Sequence, residues 1–149
     1  MRAGTENIAG IVGLAKAMNL AYTELEEDTA HITGLKEYMR SQLKAICPDI
    51  RFNGHPDKCL YTVLNASFPA GPYADLMIMS LDIAGVSASG GSACSSGAES
   101  QSHVLQAIGH DAQRKAVRFS FSRNTTRDDI DFAVEQIAGI LAVNAHATA

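Results

Sequence analysis

An α+β sandwich, with helices laid on one small antiparallel or mixed sheet, is predicted by three features of the chain. Apolar residues recur at helical spacing across residues 5–46, and residues 117–122 alternate cleanly between apolar and polar. Short strands and helices follow one another without the regular βαβ alternation of a parallel sheet. At 149 residues and 46% hydrophobic content, the chain has the material for a single domain with its own core over residues 1–149.

The helical stripe begins with Ile8, Ile11, Val12, Ala15, Met18 and Tyr22 and continues with Ile32, Leu35, Met39, Leu43 and Ile46. It predicts one long N-terminal helix or two abutting ones. Thr5 is placed as the N-cap, with Glu6 in the first turn where a negative charge suits the helix dipole. Gly34 and the acidic cluster Glu24, Glu26, Glu27 and Asp28 mark the places for a bend or break. The cluster itself reads as a solvated face.

Pro48 stops that helix, and residues 50–54 read as a short strand ending in a turn. Residues 60–68 are rich in strand formers and predict its antiparallel partner. Leu76, Met77, Met79 and Ile83 fit a helix within 71–84, and residues 86–88 read as a brief strand leading into a glycine- and serine-rich loop. A short helix over 102–108 is closed by Gly109. Val117, Phe119 and Phe121 then share one face of a strand whose other face carries Arg118, Ser120 and Ser122. Thr125 or Thr126 caps a last helix striped by Ile130, Ala133, Val134, Ile137, Ile140 and Leu141.

Several classes are disfavoured by composition. The net charge of −4 offers no clustered basic face for nucleic acid. No apolar run approaches the roughly 20 residues that cross a bilayer, and the N-terminus lacks the apolar stretch of a secretion signal. The three cysteines, Cys47, Cys59 and Cys94, have no CxxC spacing, which favours reduced thiols and a cytoplasmic setting. Cys47, His55 and Cys59 form no convincing zinc site, because a fourth ligand and a knuckle are missing. No metal is expected.

Three positions are candidates for chemistry. Cys94 sits in the loop 89–101 among residues with almost no side chain, a composition that predicts flexibility. It is either a displayed nucleophile or a thiol in a linker, and it has no adjacent lysine or arginine to activate it. Arg118 projects from the polar face of its strand, either to clamp a carboxylate through two parallel hydrogen bonds or to make a surface ion pair. Thr5 is either a helix cap or, at a helix N-terminus with free N–H groups, a phosphate ligand.

Motifs around these positions point to a family. Gly91-Ser92-Ala93-Cys94-Ser95-Ser96 resembles the active-site loop of cysteine desulfurases of the NifS/IscS type, class V of the fold-type I enzymes that use pyridoxal phosphate. Arg2-Ala3-Gly4-Thr5-Glu6-Asn7 resembles the family's RxGTxN segment. Arg118-Phe119-Ser120-Phe121-Ser122-Arg123-Asn124-Thr125-Thr126 resembles its RxSxGRxTT segment, and Ser102-His103-Val104-Leu105 with Ile108-Gly109 matches the helix after the loop.

The resemblance implies the C-terminal small domain of such an enzyme. In that role Cys94 takes the sulfur of a substrate L-cysteine as a persulfide while L-alanine is released, and Arg118 binds the substrate carboxylate. Thr5 bonds the cofactor phosphate across a homodimer interface. The persulfide is then passed to a sulfur acceptor such as an iron–sulfur scaffold protein. Two departures are Ser100-Gln101 where Glu-Pro is frequent and Ser122 where glycine is common. The pyridoxal lysine of the family lies in a large upstream domain, in a segment like SxHK that is not found around Lys16, Lys36, Lys44, Lys58 or Lys115. The chain by itself is therefore expected to be inactive. A non-catalytic docking module for a sulfur acceptor and a selenocysteine lyase-like domain are the competing readings. Ile8, Ile11 and Val12 are expected to be exposed on the first helix and to drive self-association.

Overall fold

The computed structural model describes residues 4–71, 73–74, 76–90 and 102–145, the last three in backbone only. Cys94 and the rest of the loop 91–101 lie outside the described residues. The first helical stretch is two abutting helices, α1 (Ile8–Thr23) and α2 (Leu25–Ile46), which meet at Glu24 (φ −98°, ψ 0°). The break falls at the acidic cluster, and Gly34 stays inside α2. Glu26, Glu27 and Asp28 occupy the first turn of α2, where the helix dipole favours them.

Thr5 is not the cap of α1. The N-cap is Asn7, whose Oδ1 accepts from the backbone N–H of Gly10 at 3.0 Å. Asparagine serves this position at least as well as threonine, and Gly10 leaves it room: a Cβ there would approach Asn7 Nδ2 to 2.8 Å. Thr5 and Glu6 therefore precede the helix, and no acidic residue lies in its first turn. No residue of α1 is buried, and Ile8, Ile11, Val12, Leu14 and Met18 are each more than half exposed.

α2 buries Ile32, Leu35, Met39 and Leu43 at the expected spacing. After Pro48 the chain forms β1 (Arg51–Phe52) and then β2 (Val63–Phe68), paired antiparallel with Arg51 opposite Ser67 and Phe52 opposite Ala66. Both strands are shorter than expected, because the residues between them, including Gly54 at φ +105°, are used in a broad turn. α3 (Met77–Ile83) and α4 (His103–Ala107) follow. Gly109, at φ +71°, ends α4 and lets His110 N–H donate to Leu105 O at 2.9 Å.

β3 (Lys115–Ser120) pairs antiparallel with β2 from Val63 opposite Ser120 to Phe68 opposite Lys115, so the sheet order is β1-β2-β3. α5 (Arg127–Ala145) opens on a reciprocal cap. Thr126 N–H donates to Asp129 Oδ2 at 2.8 Å, and Asp129 N–H donates to Thr126 Oγ1 at 3.2 Å.

The alternation in β3 sorts the sheet into two faces. Leu64, Ala66, Phe68, Val117 and Phe119 meet Met39 and Leu43 of α2, Met77 and Leu81 of α3, and Val134 and Ile137 of α5 in one core. The opposite face carries Asn65, Ser67, Arg118 and Ser120. Ser67, at the far end of that face, is buried under Arg114. No helix among the described residues is long and apolar enough to cross a membrane.

Candidate active site

Arg118 stands exposed on the polar face of β3, opposite Asn65 on β2. Directly opposed residues in an antiparallel pair have Cβ atoms about 5 Å apart, so the Asn65 amide adjoins the root of the arginine. Asn65 is held in place, its Oδ1 accepting from Asn53 Nδ2 at 2.7 Å and its carbonyl from Asn53 N–H at 2.9 Å. Asn53 Oδ1 lies 3.2 Å from His110 Nδ1, and His110 Nε2 lies 3.2 Å from Arg114 O. This chain of polar side chains starts at Asn65, on the sheet face that also carries Arg118.

Of the other arginines of the described residues, Arg51 on β1 is exposed and has no partner among them, whereas the remaining four are committed. Arg114 donates to Asp49 Oδ2, Asp49 O, Ser67 Oγ and Ser67 O. Arg123 pairs with Glu24 and with Asp28, the latter at 2.6 Å, and these contacts raise its pKa, chiefly through the hydrogen bond to Glu24. Arg127 stacks on the Tyr38 ring at 3.9 Å, and Arg40 contacts Glu37 and the ring of Phe52. Among the described residues no side chain or carbonyl pairs with the guanidinium of Arg118. Of the two readings of Arg118, the surface ion pair has no partner among the described residues.

The segment leading to the cysteine loop is fastened to the same strand. Ser89 and Arg118 form an isolated antiparallel bridge on the free edge of β3, where residues 86–88 were expected as a brief strand. Gly90 follows, packed so that a Cβ would meet Ile78 Cγ1 at 2.8 Å. At the far end of β3, Ser122 accepts from Asn124 N–H and receives Thr125 Oγ1 at its own N–H. No non-glycine residue among those described has positive φ, so the backbone does not require the family's common glycine at Ser122.

Thr5 is exposed. It precedes the exposed N-terminus of α1, a 16-residue helix that extends about 24 Å from its junction with α2. Cys47 is a core thiol whose pKa is pushed up, first by burial and then by Asp49. His55 Nδ1 is occupied by the N–H groups of Asp57 and Lys58. No group of three or more potential metal ligands occurs among the described residues.

The described residues do not make a cradle for pyridoxal phosphate. Lys115 lies on the core-side register of β3, away from Arg118, and Lys36 is buried against Cys59 and Leu60. Lys16, Lys44 and Lys58 are exposed and none pairs with the site.

Asn65, Asn53 and His110 were not singled out by sequence reading, and Ser89 entered only as the first residue of the loop 89–101. Period-two alternation located Arg118 on the polar face, but the strand register that sets Asn65 beside it has no local signature.

Residues 1–132 match the family model described as aminotransferase class-V. The cysteine desulfurase IscS of Dictyoglomus turgidum is 34% identical over 142 residues, covering 94% of this chain and 36% of that protein. The cysteine desulfurase NifS of Azotobacter vinelandii is 35% identical over 143 residues, covering 95% and 35% respectively. The crystal structure of a NifS-like protein from Rickettsia africae superposes with a TM-score of 0.76 at 24% identity over 95% of this chain and 36% of that one, a likeness of fold. The chain thus spans about a third of the length of the relatives it matches. It is a cysteine desulfurase-related α+β domain, and it belongs to the aminotransferase class-V family.

Proposed function

We propose that this chain is the C-terminal portion of a cysteine desulfurase and that Arg118 holds the substrate carboxylate beside the loop that carries Cys94. The observation that carries the reading is that the guanidinium of Arg118, on the residue whose backbone is bridged to Ser89, has no partner among the described residues. Cys94 follows Ser89 by five residues, a tether of at most about 18 Å when fully extended. A planar guanidinium receives a carboxylate through two parallel hydrogen bonds and so orients the amino acid as well as binding it. Cys94 is the group that takes the sulfur of L-cysteine, leaving a persulfide on the chain and L-alanine in solution.

Pyridoxal phosphate, for which the described residues make no cradle, would be held by the part of the family fold that this chain does not match and would supply an electron sink there. Thr5, standing clear of its own domain at the end of α1, is suited to reach the cofactor phosphate of a second subunit. The exposed apolar face of α1 supports a homodimer. Transfer of the persulfide to an iron–sulfur scaffold protein or another acceptor in the cytoplasm completes the reading.

The test joins this chain to the cofactor-bearing portion of a class-V relative and follows L-alanine and persulfide formation from L-cysteine. Activity that is lost in Cys94→Ala is expected; full activity in that variant overturns the role of Cys94. A docking module without catalysis is favoured by one observation, the lack of a lysine facing Arg118 among the described residues. Under that reading the joined protein forms no alanine yet the chain alone binds a scaffold protein.

A further inference from the structure

We propose that Lys36 and Cys59 are a modification site, at which a peroxide joins the lysine nitrogen to the cysteine sulfur. Lys36 lies on the core-facing stripe of α2 and is only 6% exposed. Its Nζ donates to Leu60 O at 2.8 Å and sits 3.2 Å from Cys59 Sγ. No carboxylate accompanies this buried nitrogen among the described residues. Cys59 is exposed, while Cys47 is buried. The two partners thus differ in the way the chemistry needs: the sulfur is open to a solvent-borne oxidant and the amine waits behind it.

The surroundings favour that encounter. Cys59 and Lys36 share a cleft of about 160 Å³ with His55, Asn53 and Arg40. His55 Nδ1 accepts from the N–H groups of Asp57 and Lys58, each at 3.0 Å, which fixes the turn that presents Cys59. Hydrogen peroxide fits the space and oxidises an exposed thiol to a sulfenic acid, which nitrogen nucleophiles capture.

The steps balance. Two electrons pass from the sulfur to the peroxide, its O–O bond breaks, and the thiol becomes a sulfenic acid with loss of one water. Lys36 Nζ then attacks the sulfur, the S–O bond breaks, an S–N bond forms and a second water leaves. The attacking nitrogen is the neutral amine, freed by release of one proton to solvent; of its two remaining protons one departs with that water and one stays on the linked nitrogen. Rotation about the terminal torsions of Lys36 closes the remaining distance without moving α2. The link closes the 23-residue separation between α2 and the β1–β2 connection.

The experiment treats the full chain with hydrogen peroxide, digests it with a protease that spares lysine, and maps the peptides by mass spectrometry. The expected product is a joined pair containing Lys36 and Cys59, lighter than the two peptides by two hydrogens and separated again by dithiothreitol. In Lys36→Arg the pair is absent and Cys59 is captured instead by dimedone. A wild-type chain in which Cys59 ends as a sulfinic acid or in a disulfide, with Lys36 free, overturns the proposal. That readout depends neither on the folding of a variant nor on the role of Cys94.

Discussion

Ser89 and Arg118 hold each other through their backbones, Arg118 N–H donating to Ser89 O at 2.7 Å and Ser89 N–H donating to Arg118 O at 3.1 Å. The residue that leads toward the cysteine loop is thereby fixed to the residue proposed to grip the substrate. The next position, Gly90, has no room for a side chain against Ile78. Gly90→Ala is expected to cost about 1–2 kcal/mol through overpacking. Urea unfolding should show a lower midpoint with an unchanged slope.

Arg118 is proposed to act by geometry as well as charge. In the joined protein, Arg118→Lys keeps the charge and loses the two-pronged contact, at a cost of about 1.5–3 kcal/mol in binding. Steady-state kinetics should show KM for L-cysteine raised by about 10–150-fold. The unfolding midpoint should not move, because no described group depends on this side chain. A KM within twofold of the parent would remove Arg118 from the substrate site.

Arg114 plays the opposite part. Its side chain is only 6% exposed, whereas that of its ion-pair partner Asp49 is 67% exposed. Solvent screens the charge pair, so the hydrogen bonds to Ser67 Oγ, Ser67 O and Asp49 O matter more. Arg114→Met, which strands these acceptors, is expected to destabilise by about 2–4 kcal/mol. Asp49→Asn should cost less than about 1 kcal/mol. Equal effects in chemical denaturation would mean that the ion pair itself dominates.

Asp129 links the cap of α5 to pH. The N–H of Thr126, then its hydroxyl, hold the carboxyl below its usual 3.8. A carboxylate with a lowered folded pKa stabilises above its unfolded value, and that contribution is lost as pH falls through the folded value. The gap in melting temperature between the parent chain and Asp129→Asn should be constant above about pH 5 and close below about pH 4. A gap that persists unchanged at the acidic end would assign the effect to packing.

Local patterns made much of this molecule readable from its residues. Period-two alternation sorted Val117, Phe119 and Phe121 from Arg118 and Ser120 correctly, because side chains on a strand point to opposite faces whatever lies around them. The helical stripe likewise named Ile32, Leu35, Met39 and Leu43 as core, and Pro48 and Gly109 marked helix ends. The exposure of Ile8, Ile11 and Val12 followed from an apolar helix for which the remaining elements offered no facing surface. The motifs around Thr5, Cys94 and Arg118 were enough to reach the family.

Other features arose only when the chain closed on itself. Asn7 displaced Thr5 as the cap because competition among neighbouring polar side chains is settled by backbone geometry, not by residue type. The acidic cluster read as a solvated face, yet Glu24 and Asp28 receive Arg123 from nearly a hundred residues away. Lys36 interrupts an apolar stripe and is buried there because a thiol and a carbonyl from the β1–β2 connection meet its nitrogen. Periodicity and capping rules depend on a few adjacent residues and are legible in one dimension. Partners brought together by strand register and helix packing carry no local signature, so the commitments of Arg114, Arg123 and Lys36, and the lack of a partner for Arg118 among the described residues, were decided by tertiary structure.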